Sequence, residues 1–262
     1  MSTESLNPKN ESISTQKFFE ELTEIDFSKE GPRLKIFDVD LDIESFVRLL
    51  SESKVLVPIA SSDGIISHVK ENPEADISDY SRSSRYFLLH TDGQYLPAVP
   101  EIVILHCVDA GATEIPTVFA DTKDIIDILR STDRLEEAKE YEFVFRNKKG
   151  LEFVRPLLER RPTNSEFIMN IAIASPKCNL RPLRGSSKTQ EDVDKFYELL
   201  EEIAEQNLKI IPHIWKKNSA VVFDNLRLIH GRGLPEHKNL DISDAQRHLH
   251  RIWLSQGKST NA

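Results

Sequence analysis

The stretch Arg85-Tyr86-Phe87-Leu88-Leu89-His90-Thr91-Asp92 decides the predicted fold and chemistry of this chain. Its aromatic and aliphatic residues are typical of a strand that enters a hydrophobic core. Residues two apart on a strand face the same side, so His90 and Asp92 can reach one metal ion while Thr91 faces away. A His-x-Asp triplet on its own is more often a solvated pair in a loop, so the prediction depends on a distant partner.

That partner is His230, in the stretch Asp224-Asn225-Leu226-Arg227-Leu228-Ile229-His230-Gly231-Arg232. An apolar strand, Ala220-Val221-Val222-Phe223, leads into it. Two imidazoles and one carboxylate make a facial triad, which leaves the opposite side of an Fe(II) ion open for substrates and dioxygen. We therefore interpret His90, Asp92 and His230 as ligands of a catalytic Fe(II). Asp224 and Asn225 are expected to organise the turn before His230 and not to touch the metal.

A third segment, Arg247-His248-Leu249-His250-Arg251-Ile252-Trp253-Leu254, follows after a polar loop. The order of the three segments resembles the taurine dioxygenase-like (TauD/TfdA) family of Fe(II)/2-oxoglutarate oxygenases, and the motifs are most similar to its clavaminate synthase-like branch. The resemblance covers roughly residues 85 to 254. It implies a mainly β chain with flanking helices that forms a double-stranded β-helix, or jelly roll, with the metal ligands at its open mouth.

The resemblance also implies that 2-oxoglutarate is the cosubstrate and that Arg251 binds its far carboxylate. The planar guanidinium fork of arginine suits a carboxylate because it donates two parallel hydrogen bonds. Thr117 is expected to complete that pocket, although Glu114-Ile115-Pro116 replaces the usual pair of small residues before it. Arg247 lies four residues from Arg251 and faces the same side, so it remains a rival for this role.

Oxidation of a C–H bond in a small molecule, with release of succinate and CO2, is the reaction that the resemblance implies. Hydroxylation is the expected outcome, and desaturation or cyclisation is the alternative. An amino acid or amino-acid-derived metabolite is the expected substrate, with a sulfonate or another small carboxylate as the rival. Candidate substrate contacts are Gln94, Tyr95, Arg181 and Arg184, while Arg155, Arg160 and Arg161 supply further positive charge.

Two other classes of protein could also use this triad. A non-catalytic jelly roll could use the triad to bind a structural metal, but such sites tend to be closed by four protein ligands. A zinc hydrolase would also use three ligands and a water, but it would not need Arg251. His68, His106, His213 and His237 are expected to be ordinary core or surface residues, and His248 and His250 to face away from the iron.

Composition sets the limits of the prediction. A length of 262 residues suits one β-rich catalytic domain, expected over 15–262 after a disordered tail at 1–14. The net charge of −9 argues against a nucleic-acid partner. Without an apolar signal core or a membrane-length apolar stretch, the expected location is the cytoplasm, which also suits the thiols of Cys107 and Cys178. Nothing in the sequence indicates an oligomeric state.

Periodicity predicts the other elements. Helices are expected over 42–50, 121–129 and 190–206, with a short helical turn over 18–22. Strands are expected over 33–39, 55–60, 100–108, 141–147 and 167–174. The polar segment 61–84 is predicted to be a loop that borders the active site.

Overall fold

The computed structural model describes residues 12–27, 31–70, 87–111, 115–147, 149–161, 166–172, 180–234 and 247–257. Within these ranges the helices are α1 (Thr15–Thr23), α2 (Ile43–Glu52), α3 (Thr122–Ser131), α4 (Leu135–Ala138) and α5 (Gln190–Gln206). The strands are β1 (Ile13–Ser14), β2 (Leu34–Asp40), β3 (Leu56–Ile59), β4 (Ile66–Lys70), β5 (Phe87–His90), β6 (Ile102–Asp109), β7 (Thr117–Asp121), β8 (Tyr141–Arg146), β9 (Glu152–Pro156), β10 (Leu158–Arg160), β11 (Phe167–Met169), β12 (Leu180–Pro182), β13 (Ile211–His213), β14 (Ser219–Asp224), β15 (Leu228–Arg232) and β16 (His248–Gln256).

Two facing sheets form the body of the molecule. The larger sheet has the order β1-β2-β14-β6-β16-β3, and β4 pairs with β16 beside β3. The smaller sheet has the order β13-β7-β15-β5 and supplies two of the three predicted metal ligands. The remaining strands form two further sheets, with the orders β12-β8-β9 and β10-β11. This arrangement is the predicted jelly roll, a mainly β double-stranded β-helix with flanking helices.

Alternation along the strands divides the apolar residues into three layers. Between the two sheets lie inward residues of both, among them Leu105, Phe119, Phe223 and Trp253. A second layer joins the outer face of the larger sheet to α1 and α2, and a third joins the outer face of the smaller sheet to α3 and α5. Helices therefore cover part of the outer face of each sheet, and the inner faces are left to line the site.

The helix boundaries follow from local sequence. Thr189 caps α5, because its hydroxyl accepts from the backbone N–H of Asp192 while the Asp192 carboxylate accepts from the backbone N–H of Thr189. The apolar residues of the helix, at Val193, Phe196 and Leu200, are buried on one side. The predicted bounds of this helix are confirmed. Among the described residues, the structure contains no helix long and apolar enough to cross a membrane.

Three of the predicted segments differ in the structure. Ile13 and Ser14, assigned to the disordered tail, form β1 beside Val39 and Asp40. The predicted loop over 61–84 contains β4, a five-residue strand. The strand expected over 167–174 ends at Met169 as β11. Cys107 is a buried free thiol whose pKa burial raises to about 11, whereas Cys178 and His237 lie outside the described residues.

Candidate metal centre

The predicted ligands lie together at the inner face of the smaller sheet. His90 ends β5 and lies directly opposite His230 of β15, and their ring centroids are 4.4 Å apart. Asp92 follows β5 in a turn, with its carboxylate oxygens 3.6 Å from His90 Nε2 and 3.9 Å from His230 Nε2. One ligand atom from each residue lies within 4.8 Å of the others. The spacing that predicted a shared metal thus corresponds to a compact cluster.

The turn at Asp92 is fixed by its backbone. Asn225 is fully buried, and its amide accepts from the Asp92 N–H at 2.9 Å and donates to the Asp92 carbonyl at 3.0 Å. Gly93 follows with a φ of +71°, and a Cβ there would lie 2.4 Å from the Pro100 ring. Thr91 faces away and donates to the Ile171 carbonyl. Asn225 was expected only to organise the turn before His230. Its side chain also fixes the backbone of Asp92, which lies far from it in the sequence.

The Asp92 carboxylate is held from the opposite sheet by two residues of β16. Arg251 Nη1 lies 3.2 Å and 3.4 Å from its two oxygens, and Trp253 Nε1 donates to it at 3.0 Å. Burial would raise the pKa of Asp92, but the Arg251 charge and the hydrogen bond with His90 hold that pKa well below its usual range. Asp92 is therefore a carboxylate at neutral pH, as a metal ligand must be.

His230 is also in the form that binds a metal. Burial and the neighbouring His90 lower the pKa of His230 to about 3, so its imidazole is neutral at pH 7. Buried Nδ1 of His230 has no hydrogen-bond partner among the described residues. Two imidazoles and one carboxylate on one side of an open site match the donor set of the Fe(II) facial triad. The residues present thus fit the metal that the sequence predicted.

A second polar group lies deeper between the sheets, around Thr117. The Thr117 hydroxyl accepts from Trp215 Nε1 at 2.8 Å and from Arg247 Nη1 at 3.3 Å. His213 lies opposite Thr117 on β13, and burial together with the Arg247 charge lowers its pKa to about 4. Thr117 is two residues from Phe119, which lies opposite His230, so it is about 7 Å from that level of the sheet.

This geometry differs from the expected pairing of Thr117 with Arg251. The two arginines are four residues apart on an extended segment, which separates their Cα atoms by about 13 Å. Arg251 contacts the metal-ligating carboxylate, and Arg247 contacts Thr117. Arg247 therefore makes the contact with Thr117 that was expected of Arg251. Both arginines face inward, but they lie at different levels along β16.

The four candidate substrate contacts divide into two pairs. Gln94 is 2% exposed, and its Oε1 has no hydrogen-bond partner among the described residues. Tyr95 lies next to it with its ring centroid 6.1 Å from that of Trp253. Arg181, by contrast, forms an ion pair with Glu142 of β8, in the three-stranded sheet β12-β8-β9, and Arg184 is exposed. Only the first pair lies beside the metal ligands.

Other mid-chain arginines have structural partners. Arg161 is 7% exposed and donates to the Asp224 carboxylate at 2.9 Å. Arg155 donates to the Leu96 carbonyl at 2.6 Å and so holds the loop after the metal turn. Arg160 lies over the Phe167 ring.

Sequence reasoning missed several residues of the site. Trp253 shares the inward face of β16 with Arg251, and this spacing of two could have revealed it. Trp215 and His213 had no such signal, because their position depends on the pairing of β13 with β7. A cluster of His68, His248 and His250 on the outward face of β16 was missed as well.

A jelly roll with a buried His-Asp-His cluster and an arginine-threonine pocket between its sheets is the fold and site of a non-haem iron oxygenase. The comparisons agree. The model of the taurine catabolism dioxygenase TauD, TfdA family matches residues 36–253, and the chain belongs to this family.

The sequence identity between this chain and individual relatives is low. It is 26% identical over 201 residues to a tyrosine isonitrile desaturase of Pseudomonas aeruginosa, covering 67% of this chain and 62% of the relative. It is 25% identical over 196 residues to a 3-((Z)-2-isocyanoethenyl)-1H-indole synthase of Fischerella ambigua, covering 71% and 68%. The solved structure of PvcB, an Fe, alpha-ketoglutarate dependent oxygenase from an isonitrile synthetic pathway, gives a TM-score of 0.63 at 23% identity, covering 86% and 78%. The chain thus spans less than two thirds of the length of the first relative.

Proposed function

We propose that this protein is an Fe(II)- and 2-oxoglutarate-dependent oxygenase that oxidises a C–H bond of a small molecule and releases succinate and CO2. The observation that carries the proposal is the buried cluster of His90, Asp92 and His230 with a cationic pocket at Thr117 on the same inner face. When bound, Fe(II) and 2-oxoglutarate supply the oxidising chemistry by activating dioxygen. A structural metal site would need no such pocket.

In this proposal Arg247 and Thr117 bind the far carboxylate of 2-oxoglutarate. Arg247 is 6% exposed, so its charge is little screened, and a carboxylate there would receive charge-assisted hydrogen bonds. Trp215 orients the threonine hydroxyl by donating to it, which leaves the hydroxyl hydrogen for another acceptor. His213 lines the same pocket with a buried Nε2 that has no hydrogen-bond partner among the described residues.

Arg251 has a different task. Because its guanidinium contacts both Asp92 oxygens and stacks over the Trp253 ring at 4.4 Å, it fixes the direction of the metal-ligating carboxylate. It also supplies positive charge next to the metal, where the keto acid end of the cosubstrate would bind. Arg247 would thus bind the far carboxylate of 2-oxoglutarate, and Arg251 would lie near its keto acid end.

The proposed substrate is an amino acid or amino-acid-derived metabolite. Gln94 offers a buried amide oxygen to a substrate donor, and Tyr95 offers an aromatic edge beside Trp253. Two relatives are named for products or substrates of this kind, a tyrosine isonitrile and an indole with an isocyanoethenyl group. We propose a cytoplasmic enzyme of one catalytic domain, with small-molecule partners, no nucleic-acid partner and no membrane partner.

Desaturation is the second candidate reaction. It is favoured by the similarity to a named desaturase, at 26% identity. Hydroxylation and desaturation both begin with removal of hydrogen from carbon and differ in how the substrate is held afterwards. The triad and the carboxylate pocket serve either outcome.

The test is succinate formation from 2-oxoglutarate with a panel of aromatic and aliphatic amino acids and their N-modified derivatives, followed by mass spectrometry of the products. Substrate-stimulated succinate with a product that gains one oxygen supports hydroxylation, and a product that loses two hydrogens supports desaturation. A protein that loads Fe(II) but never forms succinate contradicts the proposal.

A further inference from the structure

The outward face of β16 carries a second group of potential metal ligands, on the side of the strand opposite Arg251. His248 and His250 alternate with Leu249 and Arg251 along the strand and face the other way. His68 of β4 lies directly opposite His250 in the pairing of the two strands. We call His68, His248 and His250 the histidine cluster.

The distances within the histidine cluster suit one ion. His68 Nδ1 and His248 Nε2 are 3.1 Å apart, and one nitrogen from each of the three residues lies within 4.8 Å of the others. Zinc with Zn–N bonds of about 2.0–2.1 Å in tetrahedral geometry places its nitrogens about 3.3 Å apart. Small side-chain rotations would therefore bring the third imidazole to the same ion.

The histidine cluster is partly open to solvent. His68 is exposed, and the other two rings are half-buried. Buried Nδ1 of His250 has no hydrogen-bond partner among the described residues. Asp109 lies opposite His248 on β6 and contributes negative charge, while Lys70 opposes it on β4. Three imidazoles without a carboxylate favour a borderline cation over magnesium or calcium.

We infer that the histidine cluster is a second metal site, distinct from the His90-Asp92-His230 centre, that binds Zn(II), Ni(II) or Cu(II) and links β4 to β16. β4 is a short strand at the edge of the larger sheet, beside β16. A metal bridge would fasten this edge, because it joins His68 to two residues of the neighbouring strand. The bridged strand is the one whose inner face carries Arg251.

The first experiment titrates Zn(II) into tag-free full-length protein that holds Fe(II) and 2-oxoglutarate without oxygen. The visible absorption of the iron complex reports whether the first site stays loaded. We expect one equivalent of Zn(II) to bind before this absorption falls. The substitutions His68→Gln and His248→Gln should each weaken that equivalent by at least roughly tenfold, since each removes one of three ligands.

Lys70→Gln is the matched control, because Lys70 lies two residues from His68 on the same face of the same strand. It should bind the zinc equivalent at least as tightly as the native chain. The inference is overturned if the native protein takes up zinc only by displacing iron, or if His68→Gln and His248→Gln bind it as tightly as the native chain.

A second measurement does not depend on the iron site. After equilibrium dialysis against Zn(II), the native protein should hold one equivalent more than His68→Gln, whatever the other centre binds. Hydrogen exchange of the β4 amides should slow with zinc in the native chain and not in His68→Gln. Equal zinc content in the two proteins would contradict the second site even if the proposed oxygenase activity proved correct.

Discussion

The two faces of β16 present the same chain to two different environments. The inward face directs Arg251 and Trp253 at a buried carboxylate, so a charged ligand is held in a fixed direction. The outward face directs His248 and His250 at a third imidazole, that of His68, where solvent is near, and the His106 ring lies 5.8 Å from that of His250. Burial and the neighbouring histidines, His68 first, lower the pKa of His250 to about 4.

The comparison shows which features distinguish a catalytic metal centre from a simple cluster of metal-binding side chains. Both clusters have three potential ligands, but only the inward one combines a carboxylate, deep burial and hydrogen bonds that orient the ligand. Only the inward one also has a cationic pocket on the same inner face.

Asp92→Asn should break the inward cluster. The amide cannot supply the negative charge that the metal and Arg251 require, so Fe(II)-dependent succinate formation should fall by far more than the roughly 10–100-fold that loss of an outer hydrogen-bond partner costs. Activity and iron content are the measurements. Asp127→Asn, the same change on the exposed surface of α3, serves as the control and should leave both unchanged. Activity retained by Asp92→Asn would exclude it as a ligand.

Substituting the two arginines should separate cosubstrate binding from metal orientation. Arg247→Gln should raise the KM for 2-oxoglutarate by roughly 10–100-fold, because it removes charge-assisted hydrogen bonds to the far carboxylate. Arg251→Gln should chiefly weaken Fe(II) binding, since its contact is with Asp92. Titrations of both variants with 2-oxoglutarate and with Fe(II) measure the split. The opposite pattern would restore Arg251 as the cosubstrate residue.

Asn225→Ala should loosen the turn that carries Asp92. Loss of its buried hydrogen bonds should lower the free energy of unfolding by about 1–3 kcal/mol, and iron affinity should fall by roughly 10–100-fold. Thr15→Ala is the control, because the Thr15 hydroxyl is also buried and makes two hydrogen bonds, donating to the Asp40 carbonyl and accepting from the Asp42 N–H beside α1 and α2. A similar loss of stability without loss of iron affinity is expected there. Equal iron affinity in both variants would remove the positioning role of Asn225.

The smallest effects concern the candidate substrate residues. Gln94→Ala should raise the KM for the substrate more than Arg181→Ala does, because Gln94 is buried beside the metal turn and Arg181 pairs with Glu142. Because Glu142 is buried, loss of its ion pair with Arg181 should lower the stability of the fold and leave the affinity for the substrate unchanged. Substrate titrations of the two variants provide the comparison, and the reverse order of effects would move the substrate toward β12.

Local alternation and periodicity predicted α5 and about half of the strands, and short spacing predicted the His90-Asp92 pair. The jelly roll was implied by the resemblance to the TauD/TfdA family, which depended on the order of three separate segments. Sequence alone could not rank Arg247 against Arg251, since both face inward and only the depth of each against the opposite sheet distinguishes them. It also missed β4, whose residues Ile66-Ser67-His68-Val69-Lys70 alternate within a polar segment. Without β4, His68 had no visible partner, so the histidine cluster stayed hidden.

The most direct test of the account is an anaerobic titration of the metal-free protein with Fe(II) and then with 2-oxoglutarate, followed by visible absorption. We expect a charge-transfer band only after both additions, formed at much higher 2-oxoglutarate concentration in Arg247→Gln and lost in Asp92→Asn. A folded protein that binds iron but gives no band at any 2-oxoglutarate concentration would contradict the cosubstrate pocket and, with it, the oxygenase function.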